Sequence, residues 1–120
     1  MSLRIVLLAV LSTVVSSAAF AADPARGEKR FVALCGSCHS ADPAVRKMSS
    51  HMKGIVGRKA ASVEGVAYST ALKTSGWTWT KPLLEKYLAN PKKALPGTTM
   101  MVAAGDADRA DIVAYLATLK

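Results

Sequence analysis

Only two cysteines, Cys35 and Cys38, and two histidines, His39 and His51, occur in the 120 residues. That is too few for the two ligand pairs of a structural zinc site. No βαβ flank surrounds the two cysteines, so a thioredoxin-like dithiol lacks its setting. A disulfide between them would close too short a loop to stabilise much, and it would leave the adjacent His39 unexplained. Acid is also scarce, with 8 Asp and Glu against 16 Lys and Arg, for a formal charge of +8. No nucleic-acid motif accompanies that excess. There is no internal repeat, no low-complexity segment and no convincing strand pattern. No apolar run reaches the roughly 20 residues of a membrane span.

The longest apolar stretch does carry a different signal. Arg4 gives a positive start, Ile5 to Val15 an apolar core broken by Ser12 and Thr13, and Ala19-Phe20-Ala21 a small-x-small cleavage pattern. Residues 1–21 therefore read as a secretory signal peptide, cleaved on export to the periplasm. Residues 22–120 remain as one domain of 99 residues with a charge of +7. A domain of that size buries only about 60–65% of its unfolded surface. It gains from any internal apolar group.

Such a group is announced by Cys35-Gly36-Ser37-Cys38-His39, a C-x-x-C-H run with the spacing of c-type haem attachment. Each sulfur adds to one vinyl group of the porphyrin, and the next residue brings an imidazole beneath the iron. His39 is the proximal ligand on this reading. The haem propionates subtract about two charges at neutral pH and leave the protein basic, which points to acidic protein surfaces as partners. Nucleic acid is not expected as one.

Around this run the chain reads as helices and loops. Asp23-Pro24 is an N-cap and first position for a helix to about Cys35. Gly27, Phe31, Leu34 and Cys35 lie on one face, and Gly27 marks the close crossing of another helix. Ser40 to Val66 is a long loop punctuated by Asp42-Pro43, Gly54 and Gly57, a length excused by wrapping a cofactor. A short helix is expected over Tyr68–Lys73. Thr80 caps a clearer one, with Lys81 and Pro82 in its first turn, ending at Asn90-Pro91. The last helix carries Ile112, Tyr115, Leu116 and Leu119 at i, i+3, i+4 and i+7, with Asp106, Asp108 and Asp111 toward its positive end. It is the natural partner of the Gly27/Phe31 face.

Five stretches now stand in order: Gly27 to Phe31, the haem run at 35–39, Gly54-Ile55-Val56-Gly57-Arg58-Lys59, Tyr87 to Met100, and Arg109 to Leu116. Together they resemble the class I cytochromes c, in particular the soluble mitochondrial-type and bacterial c2-like proteins, over residues 24–119. The resemblance implies an all-α, single-domain class I cytochrome c fold, its N- and C-terminal helices crossing and its loops wrapping one covalent haem c. It implies Met100, after Pro96-Gly97-Thr98-Thr99, as the sixth iron ligand, with Met101 the next candidate and His51 the third. It places Arg58, Tyr68 and Trp79 near the propionates with Thr98, and Tyr87 beside the methionine sulfur. The chain departs from the pattern where Ser49-Ser50-His51-Met52 replaces Gly-Pro-Asn-Leu, so the carbonyl offered to the proximal histidine comes from Ser50 and is expected to be held less rigidly than a proline's. Leu72 replaces a commonly polar residue, and Val102 stands where an aromatic often covers the haem edge.

An iron with two protein axial ligands has no open position for substrate. The expected function is thus periplasmic one-electron transfer rather than catalysis, by a monomer docking on a cytochrome bc1-type donor and a terminal oxidase, reductase or reaction-centre acceptor. Lys29, Arg30, Lys47, Lys53, Lys59, Lys86, Lys92 and Lys93 are the candidate docking cations, Lys92-Lys93 foremost because it precedes the ligand loop. The alternative is a haem c subunit of an oxidising enzyme complex or a peroxidase-like protein, with an open or labile sixth site. A sensor would need a second domain, for which the chain has no spare residues.

Overall fold

The computed structural model describes residues 21–120, so the leader expected at residues 1–21 lies, apart from Ala21, outside the described residues. Helix α1 spans Pro24–Cys35, where the expected cap and proline place it. The Asp23 carboxylate accepts from the amides of Ala25 (2.9 Å) and Arg26 (3.3 Å), which satisfies N–H groups left over at a helix start. Helix α2 is a short turn, Thr70–Thr74, capped by Ser69. Helix α3, Lys81–Ala89, begins at Thr80, whose hydroxyl accepts from the Leu83 amide at 3.2 Å. Asn90 ends α3 and then caps a four-residue helix α4, Pro91–Ala94, through a bond from the Lys93 amide. Helix α4 was not expected: proline stops one helix and, at a first position, starts another. The last helix, α5, runs Asp106–Leu116.

The crossing of α1 on α5 sets the frame. A Cβ added at Gly27 would lie 1.9 Å from the Asp111 carbonyl oxygen, so the backbones touch there and only glycine fits. Around that contact sit Phe31 and Tyr115, ring centroids 5.6 Å apart, and Ile112, 1% exposed. Asp111, placed by the sequence toward the positive end of α5, is a buried charge, 3% exposed. It accepts from the Asp23 amide at 2.8 Å and from Arg26 Nε at 2.5 Å and Nη2 at 3.2 Å. Arg30 and Asp108 add a second α1–α5 pair at 2.8 Å.

The loops are tied down by backbone bonds. The Gly54 amide donates to Leu119, Gly57 to Trp79, Trp79 to Arg58, and Ala60 to Trp77. Gly57 makes its turn at φ +92°, a left-handed value that other residues rarely adopt. Among the described residues the one β contact is an isolated antiparallel bridge between Lys59 and Thr78. Arg109 joins α5 to α3 through Glu85 at 3.0 Å, and it also donates to the Ala104 carbonyl. Helices and tied loops thus enclose a central space.

Candidate functional site

That space is a cavity of about 480 Å³ walled by Phe31, Leu34, Met52, Ile55, Leu84, Leu88, Ile112 and Leu116. Its size falls within the roughly 300–1,000 Å³ of cofactor pockets. Nine of the residues singled out above converge on it: Cys35, Cys38, His39, Arg58, Tyr68, Trp79, Tyr87, Thr98 and Met100. The end of α1 delivers the first cysteine, and the turn that follows delivers the rest. The Cys38 and His39 amides both donate to the Cys35 carbonyl, at 3.1 and 2.9 Å, so the chain curls and brings both thiols and the imidazole together. The thiols are free rather than joined in a disulfide.

The proximal side has the orientation a metal-binding histidine needs. His39 Nδ1–H donates to the Ser50 carbonyl at 2.7 Å, which leaves Nε2 with the lone pair. Ser50 is buried, so the carbonyl stands firm without the family's proline. Burial pushes His39 below the ordinary histidine pKa, against the opposing pull of the Ser50 bond, and favours the neutral, ligating form.

Met100 and Met101 are told apart by environment. Met100 is half-buried and packs against the core, whereas Met101 is 83% exposed at the cavity rim. The turn before them is knotted at Thr98. Its hydroxyl pairs with the Tyr87 hydroxyl at 2.5 Å and accepts from the Met100 amide at 3.3 Å, and its carbonyl accepts from Lys92 Nζ at 2.8 Å. Tyr87 is thereby tied through its hydroxyl to Thr98. Burial raises the Tyr87 pKa, the Thr98 bond opposing, and the phenol stays protonated. Trp77, overlooked in the sequence, packs edge-on against both Trp79 and Tyr87 at 5.6 and 6.0 Å. Tyr68 accepts from the Val63 amide at 3.1 Å and keeps its own proton to donate.

His51 is not on this cavity's wall. It lies on a separate one of about 240 Å³ beside Arg46, Lys47 and Glu64. The wall residues Met52 and Ile55 also escaped sequence reading, because they sit in a loop without periodicity. Those on α5 were visible in the apolar spacing of that helix.

The donor set fits a covalent haem: two adjacent free thiols, an oriented imidazole, a thioether, and an apolar cavity bordered by Arg58 and by the Tyr68 and Trp79 side chains. Two relatives are similar over most of the chain. Cytochrome c of Euglena viridis is 43% identical over 100 residues, 82% of this chain and 98% of its own. Cytochrome c2 of Rhodomicrobium vannielii is 43% identical over 107 residues, 86% and 85% of the two chains. The solved structure of cytochrome cH from Methylobacterium extorquens superposes with a TM-score of 0.72 at 42% identity, covering 80% of this chain and 98% of that one. A family model described as Cytochrome c matches residues 24–120.

Proposed function

The chain belongs to the cytochrome c family, has its class I fold and carries one covalent haem c; from that premise we propose that it is a periplasmic one-electron carrier, not an enzyme, with His39 and Met100 as axial ligands. The observation that carries the reading is the His39 imidazole, held through Nδ1 by a buried carbonyl on a cavity that also holds both thiols and Met100. When bound, the haem supplies a one-electron couple, and a thioether ligand raises its potential relative to a second histidine.

The protein's own work is positional. Cys35 and Cys38 anchor the porphyrin and His39 meets the metal. Arg58, Tyr68, Trp79 and Thr98 offer charge and hydrogen bonds to the propionates, which a buried carboxylate requires. Tyr87 acts at one remove, by fixing Thr98 and with it the Met100 backbone. The apolar walls exclude water. With His39 and Met100 both holding the iron, no position would be open to a substrate, which would favour outer-sphere transfer.

Partners are acidic surfaces of redox proteins, such as a cytochrome bc1-type donor and an oxidase, reductase or reaction-centre acceptor. Of the candidate cations Arg30 is neutralised by its ion pair with Asp108. Lys92 and Lys47 donate to the Thr98 and Gly36 carbonyls and keep their charge in a fixed position. With Lys29, Lys53, Lys59, Lys86 and Lys93, which carry no ion pair among the described residues, they are the docking candidates.

Visible spectra of the purified oxidised and reduced protein, with acid–acetone extraction, test the proposal. Pigment that stays on the polypeptide, with a low-spin spectrum and the thioether charge-transfer band, is expected. Extractable pigment or a high-spin resting state would overturn it.

A further inference from the structure

On the ligand set proposed above, His51 takes part in neither attachment nor ligation. Its surroundings give it a role. The Arg58 guanidinium, one of the polar groups on the haem cavity, is gripped entirely by the segment 51–53. Nη1 donates to the His51 carbonyl at 2.7 Å, and Nη2 donates to the Lys53 carbonyl and to His51 Nδ1 at 3.2 Å. A guanidinium has donors only, so His51 Nδ1 must be the unprotonated acceptor and the ring proton must sit on Nε2.

We infer that His51 is a positioning residue for Arg58: the neutral imidazole steers the guanidinium on the cavity wall, and its protonation breaks that bond and makes the reduction potential depend on pH. This rests on the reading that Arg58 faces the haem propionates.

Protonation turns Nδ1 into a donor aimed at another donor and places two cations side by side. The charges around His51 are mixed. Burial, then Arg58 and Lys53, hold it below the ordinary 6.5, while Asp42 opposes them. Arg46, Lys47 and Glu64 line the small cavity on its other side. His51 is half-exposed, so solvent protons reach it. A positive charge gained there favours the reduced haem. The potential is therefore highest on the acid side and falls to a plateau above the His51 midpoint. By reciprocity, oxidation lowers that midpoint.

Two measurements on the haem-loaded protein test this. In the ferrous state, nitrogen NMR of the imidazole should find Nδ1 bare and the proton on Nε2. Arg58→Leu, and Arg58→Gln if the first variant folds poorly, remove the neighbouring charge and should move the midpoint up toward 6.5. An Nδ1–H tautomer, or a midpoint that ignores both variants, would overturn the contact. Potentials recorded from about pH 5 to 8 then compare His51→Asn and His51→Ala. Asparagine keeps an acceptor without a titrating group, so His51→Asn should retain the high-pH potential and lose the acid-side rise. His51→Ala should lose both. An acid-side rise unchanged in His51→Asn would sink the proposal while leaving covalent haem and its spectrum intact.

Discussion

Met100 and Met101 are chemically identical neighbours, and what separates them is the space each can reach. Met100 is half-buried against the core and its amide is held by Thr98, while Met101 projects into solvent. Replacing Met100 by alanine should open the sixth position and shift the oxidised spectrum to high spin. Met101→Ala should leave the spectrum as it was, and the reverse outcome would reassign the ligand. At the same scale Thr98 stands out, because one small residue serves Tyr87, Met100 and Lys92 together. The motif Pro96-Gly97-Thr98-Thr99-Met100 announced a ligand loop but not this knot, since its partners are side chains from α3 and α4.

The α1–α5 crossing holds the attachment run against the rest of the fold, and two changes should expose how. Gly27→Ala forces a methyl group into the Asp111 carbonyl. Overpacking of a close contact costs about 1–3 kcal/mol, and the obstacle here is backbone, so the upper end is expected in chemical denaturation. Asp111→Asn probes charge instead. Hydrogen bonds from Arg26 and from the Asp23 amide hold the Asp111 carboxyl below the ordinary 3.8. A depressed carboxylate contributes stability that is fully present above 3.8 and is lost as pH falls through its folded value. Asp111→Asn should thus be less stable than wild type at neutral pH, with a flatter loss in acid below pH 3.8. Parallel acid limbs in thermal melts would remove Asp111 from that role. The periodicity of α5 foretold the crossing. The function of Asp111 was hidden, because its partners Asp23 and Arg26 are 88 and 85 residues away in sequence.

For the whole molecule, the excess of 16 basic over 8 acidic side chains should govern encounter with partners. Attraction between exposed charges is screened within about 10 Å at 0.1 M salt and 3 Å at 1 M. Electron transfer to an acidic redox partner should slow about tenfold or more between low and high salt, with Lys93→Glu lowering the low-salt rate and flattening the salt dependence, and Lys92→Glu also weakening the ligand loop. Rates indifferent to ionic strength in stopped-flow assays would rule out electrostatic docking. The sequence alone determined whatever depends on neighbours along the chain. The five-residue haem run, the caps at Asp23 and Thr80, and the apolar face of α5 are local, because attachment spacing and helix-start bonds span only a few residues. Tertiary structure decided which of Met100 and Met101 packs against the core, that Ser50's carbonyl aims His39, that His51 serves Arg58, and which cations carry no ion pair. Those choices rest on contacts between segments brought together only when the chain closes around its core, and a one-dimensional pattern holds no trace of such geometry.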